Sequence, residues 1–506
     1  MNKVNKVILF NPRSARAKHR IPNSILQVGA SIQGKYDYTF VDGNLEKDPW
    51  GTIRKYLQTG EYTFFGSTVM PGPQLKQAIP YSRQIREQFP GVSIIWGGYF
   101  ASNQYTSVIN SGYVDYIVYG QGDETFPQLL DAIQNKTPVD AIPNLVFKKD
   151  GKIVKTKLGV IVEQDTLPQL PYEQLNKFYS LSRYLGKTFL GTKTAAYHSS
   201  MGCPFTCSFC AVVPLYNARW KGKSAELIYR DVTYLAETYG ADAVEFHDNN
   251  FFVSEKRTVE FSKLIKDEKI IWWGEGRIDT VDKYKDESLA IMRDAGCRMI
   301  FFGAETSNDE MLKKMDKGGT QTAAQMKVFA ARMKKFDIIP EYSFVLGFPG
   351  ETPEKVMRQI DQDIEFIKEI KAINPEAEII IYVYSPVATE GSEMYEAVKK
   401  SGFKFPEHLD EWLDPAWLNF DLRKNPLTPW LTTEMIDKIL GFETVLNARF
   451  PTISDFKLTP FQRKVMRGLS ALRYQFNFFR FPYELKVLQK FWLKYRQPEI
   501  EGFYSE

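Results

Sequence analysis

Over the first 145 residues, short apolar runs alternate with amphipathic stretches. The runs KVILFNP, YTFVDGN, YTFFGSTV, VSIIWGG and DYIVYGQG are rich in Val, Ile, Phe and Tyr and end in Gly, Asn or Ser, the pattern of a strand running into a loop. Between them, stretches such as PQLKQAIPYSRQIREQF repeat their apolar positions with a helical period. The alternation predicts a doubly wound, Rossmann-like α/β domain over residues 1–145. Its loops would gather at the carboxyl edge of a parallel sheet, where ligands bind in such folds.

Residues 146–190 carry Pro and Gly punctuation, as in TLPQLPYEQL, and read as a linker. From 191 to 400 a second series appears, with strand candidates TAAYHSS, AVEFHDNNFF, IIWWGEGRID, MIFFGAET, EYSFVLGFPG and EIIIYVYSPV. Helical patterns such as AELIYRDVTYLAETYG lie between them. Six strands with crossover helices predict a partial (β/α)6 barrel whose functional groups sit at the carboxyl ends of its strands. Residues 401–506 turn mostly helical. There Leu485, Leu488, Trp492 and Tyr495 keep helical spacing, with Lys486, Lys490 and Lys494 between them. Such a helix either lies on an anionic membrane surface or packs on the protein with its lysines reaching water. Packing is the preferred reading.

Composition narrows the classes. The chain has 506 residues, 43% hydrophobic and 25% charged, enough for large cores and about three domains. A net charge of +4 is too small for a dedicated nucleic-acid binder. The first residues, MNKVNKVILFNPRS, lack the apolar core of a secretory signal, and no apolar stretch is long enough to span a bilayer. Three of the four cysteines fall within GCPFTCSFC. That is no disulfide framework, so a reducing cytoplasm and a metal or redox role are expected.

Cys203, Cys207 and Cys210 are spaced C-x3-C-x2-C, a set of soft ligands suited to zinc, Cu(I) or an iron–sulfur cluster. Structural zinc wants four ligands. Cys297, in RDAGCRM, reads as a buried residue, while His198 and His247 keep a zinc site open. A [4Fe–4S] cluster held by three thiolates would leave one iron free for a small molecule. The spacing, the aromatic Phe209 before the third cysteine, and the ordered segments that follow resemble the radical S-adenosylmethionine (SAM) superfamily over about 190–400. The resemblance implies that the free iron chelates SAM, and that an electron from a flavodoxin- or ferredoxin-type donor cleaves it to a 5′-deoxyadenosyl radical. It also implies a set of SAM contacts: Asp248 and Asn249 of FHDNNFF, Glu275 and Arg277 of GEGRID, Glu305 of FFGAET, and Gly347, Pro349 and Gly350 of FVLGFPGET. For Arg277 the alternative is a surface ion pair with Asp279 or Asp282, and Glu351 and Thr352 read as the start of the next helix.

An α/β domain preceding such a barrel resembles the cobalamin-binding branch of the superfamily. The matching positions are Asn11 of FNPR, Ser67 and Thr68 of GSTVMPG, Gly97, Gly98 and Tyr99 of WGGYFAS, and Gly120 and Gly122 of YGQGDETF. Tyr99 stands where many homologues have His, and no Asp-x-His-x-x-Gly motif is present, so a bound corrin would not take His on its lower face. A dinucleotide site is disfavoured, since no strand leads into G-x-G-x-x-G with a downstream acid. The alternative is a degenerate domain without cofactor. The resemblance as a whole implies a cobalamin-dependent methyltransferase acting on an unactivated carbon of a small-molecule or lipid-like substrate. The other readings are an oxidative cyclase or rearrangement enzyme, or a non-catalytic sensor. The expected location is cytoplasmic, with peripheral membrane contact only through the C-terminal region.

Overall fold

The computed structural model describes residues 5–14, 19–315, 321–385, 393–400, 402–418, 428, 430–455 and 458–492. The first five strands are β1 Lys6–Asn11, β2 Tyr38–Asp42, β3 Tyr62–Thr68, β4 Ser93–Gly97 and β5 Tyr116–Val118. They pair in parallel in the order β2-β1-β3-β4-β5. Val7, Ile8, Leu9 and Phe10 of β1 are all buried, because helices cover both faces of a parallel sheet. Helices Asn23–Ile32 and Thr125–Asn135 pack Leu26 and Leu129 on one face; Pro49–Gln58 and Leu75–Gln88 pack Ile53 and Ile79 on the other. The strand order reverses between β1 and β3, which opens a crevice at their carboxyl ends.

The sheet runs on past residue 145. Strands β6 Leu145–Lys149 and β7 Lys152–Lys155 add to its edge antiparallel, drawn from the segment whose sequence reads as a linker. Asp150 and Gly151 both have positive φ, 51° and 75°, as the tightest hairpin turns demand. That Asp-Gly pair is the signal for the hairpin.

The second body contains all six strands expected from the sequence. They are β8 Thr194–Tyr197, β11 Ala243–Phe246, β12 Ile271–Gly276, β13 Cys297–Glu305, β14 Ile339–Leu346 and β15 Glu378–Val383. They form one parallel sheet in the order β15-β14-β13-β12-β11-β8. Among the described residues β8 and β15 pair with no further strand, so the barrel is partial. Helices Ala225–Tyr239, Glu255–Ile265, Asp286–Asp294, Ala323–Lys335 and Pro353–Ile373 pack outside it. Two short strands, β9 Ser200–Gly202 and β10 Trp220–Gly222, pair antiparallel and pinch the base of the cysteine loop.

The C-terminal region serves both bodies. Residues 409–413 return to the first sheet, where Trp412 meets Phe100 edge-on at 5.1 Å and the Tyr113 hydroxyl donates to Asp410 at 3.0 Å. Helices Thr433–Arg449 and Pro460–Gln475 lie on the barrel side, and helix Tyr483–Trp492 packs on them through Leu485, Leu488 and Trp492. Full burial of Leu485 contributes about 1.5–3 kcal/mol, and Gln489 donates to the Thr444 carbonyl at 2.7 Å. The preferred packing of this helix is therefore observed; Lys494 and Tyr495 lie outside the described residues. No described helix is long and apolar enough to cross a membrane.

Candidate active site

The carboxyl ends of both parallel sheets border one cavity of about 1140 Å³. That exceeds the roughly 300–1,000 Å³ of an ordinary small-molecule pocket. All eight positions matched to a corrin, Asn11, Ser67, Thr68, Gly97, Gly98, Tyr99, Gly120 and Gly122, line it. They bring small side chains and backbone rather than charge. Gly98 has φ +89°, and a Cβ there would stand 2.8 Å from the Val69 carbonyl oxygen and 2.9 Å from its nitrogen. Only glycine lets the chain turn there, and the result is a shallow wall open to a large flat ligand. Tyr99 reaches across the cavity, its hydroxyl donating to Asn249 at 2.6 Å, and so links the two sheets.

The three thiols are reduced and half-buried on the loop after β9. Gly202, φ +80°, begins the loop, and a Cβ there would lie 2.2 Å from the Arg219 carbonyl oxygen; the pinch between β9 and β10 requires glycine. The far side of the loop is held by Ser208, whose amide donates to the Met315 carbonyl at 3.0 Å. Arg277, buried, donates to Cys207 Sγ at 2.9 Å, and its guanidinium lies 4.0 Å from the centre of the Phe205 ring. Two further 2.9 Å bonds join it to the Asp279 carboxylate. The pair with Asp279 is thus real but buried, and its cation is aimed at the thiol loop. Burial pushes the Cys203 thiol upward, so iron binding there must displace a proton.

Cys297 is fully buried on β13, as expected. Among the described residues no three His, Cys, Asp or Glu side chains are arranged to hold a single metal ion. The donor chemistry fits a cluster: three soft thiols on one loop, with a cation donating to one sulfur.

The barrel rim is ionisable where the corrin-matched positions of the opposite wall are uncharged. Asn249, Glu275 and Glu305 face the cavity, as do His198 and His247. Glu305 ends β13 at a register shift with φ +64°, a left-handed conformation that a non-glycine residue adopts at a cost of about 1–3 kcal/mol. His198 is exposed at the cavity wall, and desolvation by the protein around it lowers its imidazole to about 4. His247 contacts Glu245 at 3.2 Å and Glu275 at 3.8 Å.

The structure separates other residues that the sequence grouped together. Asp248 is buried and does not line the cavity. It accepts from the Ser199 amide at 2.8 Å, the Ser199 hydroxyl at 3.0 Å and the Ser200 hydroxyl at 2.7 Å, so it fixes the chain just before the cysteine loop. Pro349 and Gly350 are exposed and lie off the cavity, which Phe348 lines instead. The Gly347 carbonyl accepts from Trp430 Nε1 at 3.0 Å. Thr352 caps helix Pro353–Ile373 by accepting from the Lys355 amide, as the sequence indicated. Arg20 was not expected. It comes from the first body, contacts His247 and pairs with Glu245 at 3.2 Å, and no spacing in the sequence marks it.

A doubly wound sheet facing a partial parallel barrel, with a three-thiol loop after the first barrel strand, defines a class of SAM-dependent radical proteins. Residues 197–362 match the model of the radical SAM superfamily. It is 26% identical over 378 residues to the uncharacterised methyltransferase PH0819 of Pyrococcus horikoshii, covering 73% of this chain and 79% of that protein. It is 25% identical over 304 residues to the anaerobic magnesium-protoporphyrin IX monomethyl ester cyclase of Synechocystis, covering 59% of this chain and 57% of the cyclase. The chain thus spans little more than half the cyclase's length. Its fold is similar to that of the cobalamin-dependent SAM radical enzyme OxsB with aqua-cobalamin and SAM bound, at 14% identity and TM-score 0.68, covering 98% of this chain and 76% of OxsB.

Proposed function

We propose that this chain is a cobalamin-dependent radical SAM methyltransferase acting on a carbon without activating groups. The observation that carries the reading is the shared cavity, with a glycine-rich wall on one side and an ionisable rim beside three thiols on the other. When bound, a [4Fe–4S] cluster and SAM supply a hydrogen-abstracting radical, and a corrin supplies a methyl carrier.

The chain's own residues hold these groups in place. Cys203, Cys207 and Cys210 are the thiolate donors. Arg277 donates to Cys207 Sγ and packs on Phe205, which holds the loop in place. Asn249, Glu275 and Glu305 would offer oxygens and an amide to SAM. Ser67, Thr68, Tyr99 and the backbone at Gly97, Gly98, Gly120 and Gly122 would hold the corrin. His198 lines the cavity wall as a neutral imidazole. A flavodoxin- or ferredoxin-type protein delivers the electron. The substrate is a small molecule, or a lipid-like one brought by a membrane against the C-terminal helices.

A second reading, an oxidative cyclase, has one specific support in the cyclase relative. Product analysis separates the two. The reconstituted, reduced enzyme turning over SAM is expected to form S-adenosylhomocysteine and 5′-deoxyadenosine in equal amounts. Deoxyadenosine without S-adenosylhomocysteine would remove methyl transfer and leave the cyclase reading. Neither product would overturn both.

A further inference from the structure

Two neighbouring C-terminal helices turn apolar side chains outward. On Pro460–Gln475 and its C-cap, Phe461, Leu469, Leu472 and Phe476 recur at helical spacing, each 48–72% exposed. On Tyr483–Trp492, Tyr483, Val487 and Phe491 lie four residues apart, opposite the inward Leu485, and are 54–67% exposed. Phe478 and Phe481 in the connecting turn are also exposed. Nine of the fourteen large apolar side chains exposed among the described residues fall in this one stretch. A concentration of this kind marks an interaction surface.

The face is held in place. Phe479, between exposed neighbours, turns inward onto Phe442 at 5.0 Å. Arg473 clamps the turn by donating to the carbonyls of Phe478 at 3.3 Å, Arg480 at 3.0 Å and Phe481 at 3.3 Å, and it pairs with Glu484. These contacts fix the aromatic rings on an ordered platform.

The charge around them is one-sided. Residues 458–492 contain seven Lys and Arg against a single Glu, a net +6 on a chain whose total is +4. The one acid, Glu484, is taken by Arg473, while Lys464, Arg467, Arg480, Lys486 and Lys490 are exposed. A second copy of the same face would bring like charges together, which disfavours a symmetric dimer. Aromatic and aliphatic side chains among exposed cations match the headgroup boundary of an anionic bilayer, with the rings entering the acyl edge and the cations meeting the phosphates.

We propose that this face docks the protein on an anionic phospholipid surface. The inference needs neither cofactor nor turnover, so its failure would leave the methyltransferase reading standing, and the reverse also holds. The test is vesicle flotation of the full-length protein. One set of vesicles is phosphatidylcholine alone; the other contains about 30% phosphatidylglycerol. The wild type is expected to float with the anionic vesicles and about tenfold less with the neutral ones. Phe476→Ser/Phe481→Ser/Phe491→Ser and Lys486→Glu/Lys490→Glu should each lose about tenfold of that binding, with far-ultraviolet circular dichroism and iron content unchanged. If the serine variant fails to fold, the charge-reversal variant decides alone. Three outcomes would overturn the proposal: no flotation with either vesicle, variants that float like wild type, or a wild-type dimer that the substitutions dissolve.

Discussion

The two parallel sheets meet the same cavity with opposite chemistry. The N-terminal sheet offers Ser67, Thr68, Gly97, Gly98, Gly120 and Gly122; the barrel offers Glu275, Glu305, His198 and His247 with the thiols close behind. A wall of backbone and small side chains binds by shape, so it suits a large rigid ligand that brings its own reactivity. A charged rim binds by direction, so it suits a flexible ligand that must be held in one orientation to react. The same strand-end geometry serves both, and the residue choice at the strand ends makes the difference.

The comparison breaks most completely at the thiols. Replacing any one of Cys203, Cys207 or Cys210 with Ala should abolish cluster content and deoxyadenosine formation, as read by iron and sulfide assay and by chromatography of the SAM products. Cys297→Ala should leave both intact. The opposite wall is tested by Gly98→Val, whose side chain would press on the Val69 backbone. That variant should lose corrin binding by at least about tenfold and cost about 1–3 kcal/mol of stability, with iron content unchanged. Loss of iron as well would mean that the walls are not separate.

Arg277→Met tests the buried pair on the barrel side. It leaves the Asp279 carboxylate buried without its cation, a loss of about 3–5 kcal/mol that a thermal melt would read. Arg277→Lys should recover part of that stability.

A smaller effect is tied to pH on the first sheet's wall, where Asp123 lines the cavity. Burial raises the Asp123 carboxyl to about 6, against about 3.9 unfolded. Between those values the folded chain binds more protons, so this group's contribution falls as pH rises from about 4 to about 6. Asp123→Asn should therefore stabilise the cofactor-free protein at pH 7 by about 2 kcal/mol, and the gain should vanish below pH 4; denaturant melts across that range check it. Tyr99→Phe is the mildest change. It removes the bond to Asn249 and should cost about 1 kcal/mol.

Much of this was legible before any coordinates. All eleven parallel strands stand out as apolar runs, the first five closed by Gly, Asn or Ser, since a strand buried on both faces has little freedom in composition. The hairpin at residues 145–155 was read as linker, because LVFKK and KIVK are short and half-polar and only Asp150-Gly151 marks the turn. The corrin-matched glycines line the cavity, as do Glu275 and Glu305, whereas Gly347, Gly350 and Asp248 do not. Asp248 and Asn249 are adjacent, yet one faces the cavity and the other clamps Ser199 and Ser200, a difference set by which way each side chain leaves the end of β11. Arg20 was invisible because its partners, Glu245 and His247, lie more than 220 residues away.

The central claim is that one cavity serves two cofactors on two chemically distinct walls. It is tested most directly by anaerobic reconstitution of the full chain with iron, sulfide and cobalamin, followed by metal analysis and a corrin absorption spectrum on the same sample. The expected result is about four irons and about one corrin per chain, with Gly98→Val keeping the iron and losing the corrin. Wild-type protein that retains iron and no corrin would contradict the account.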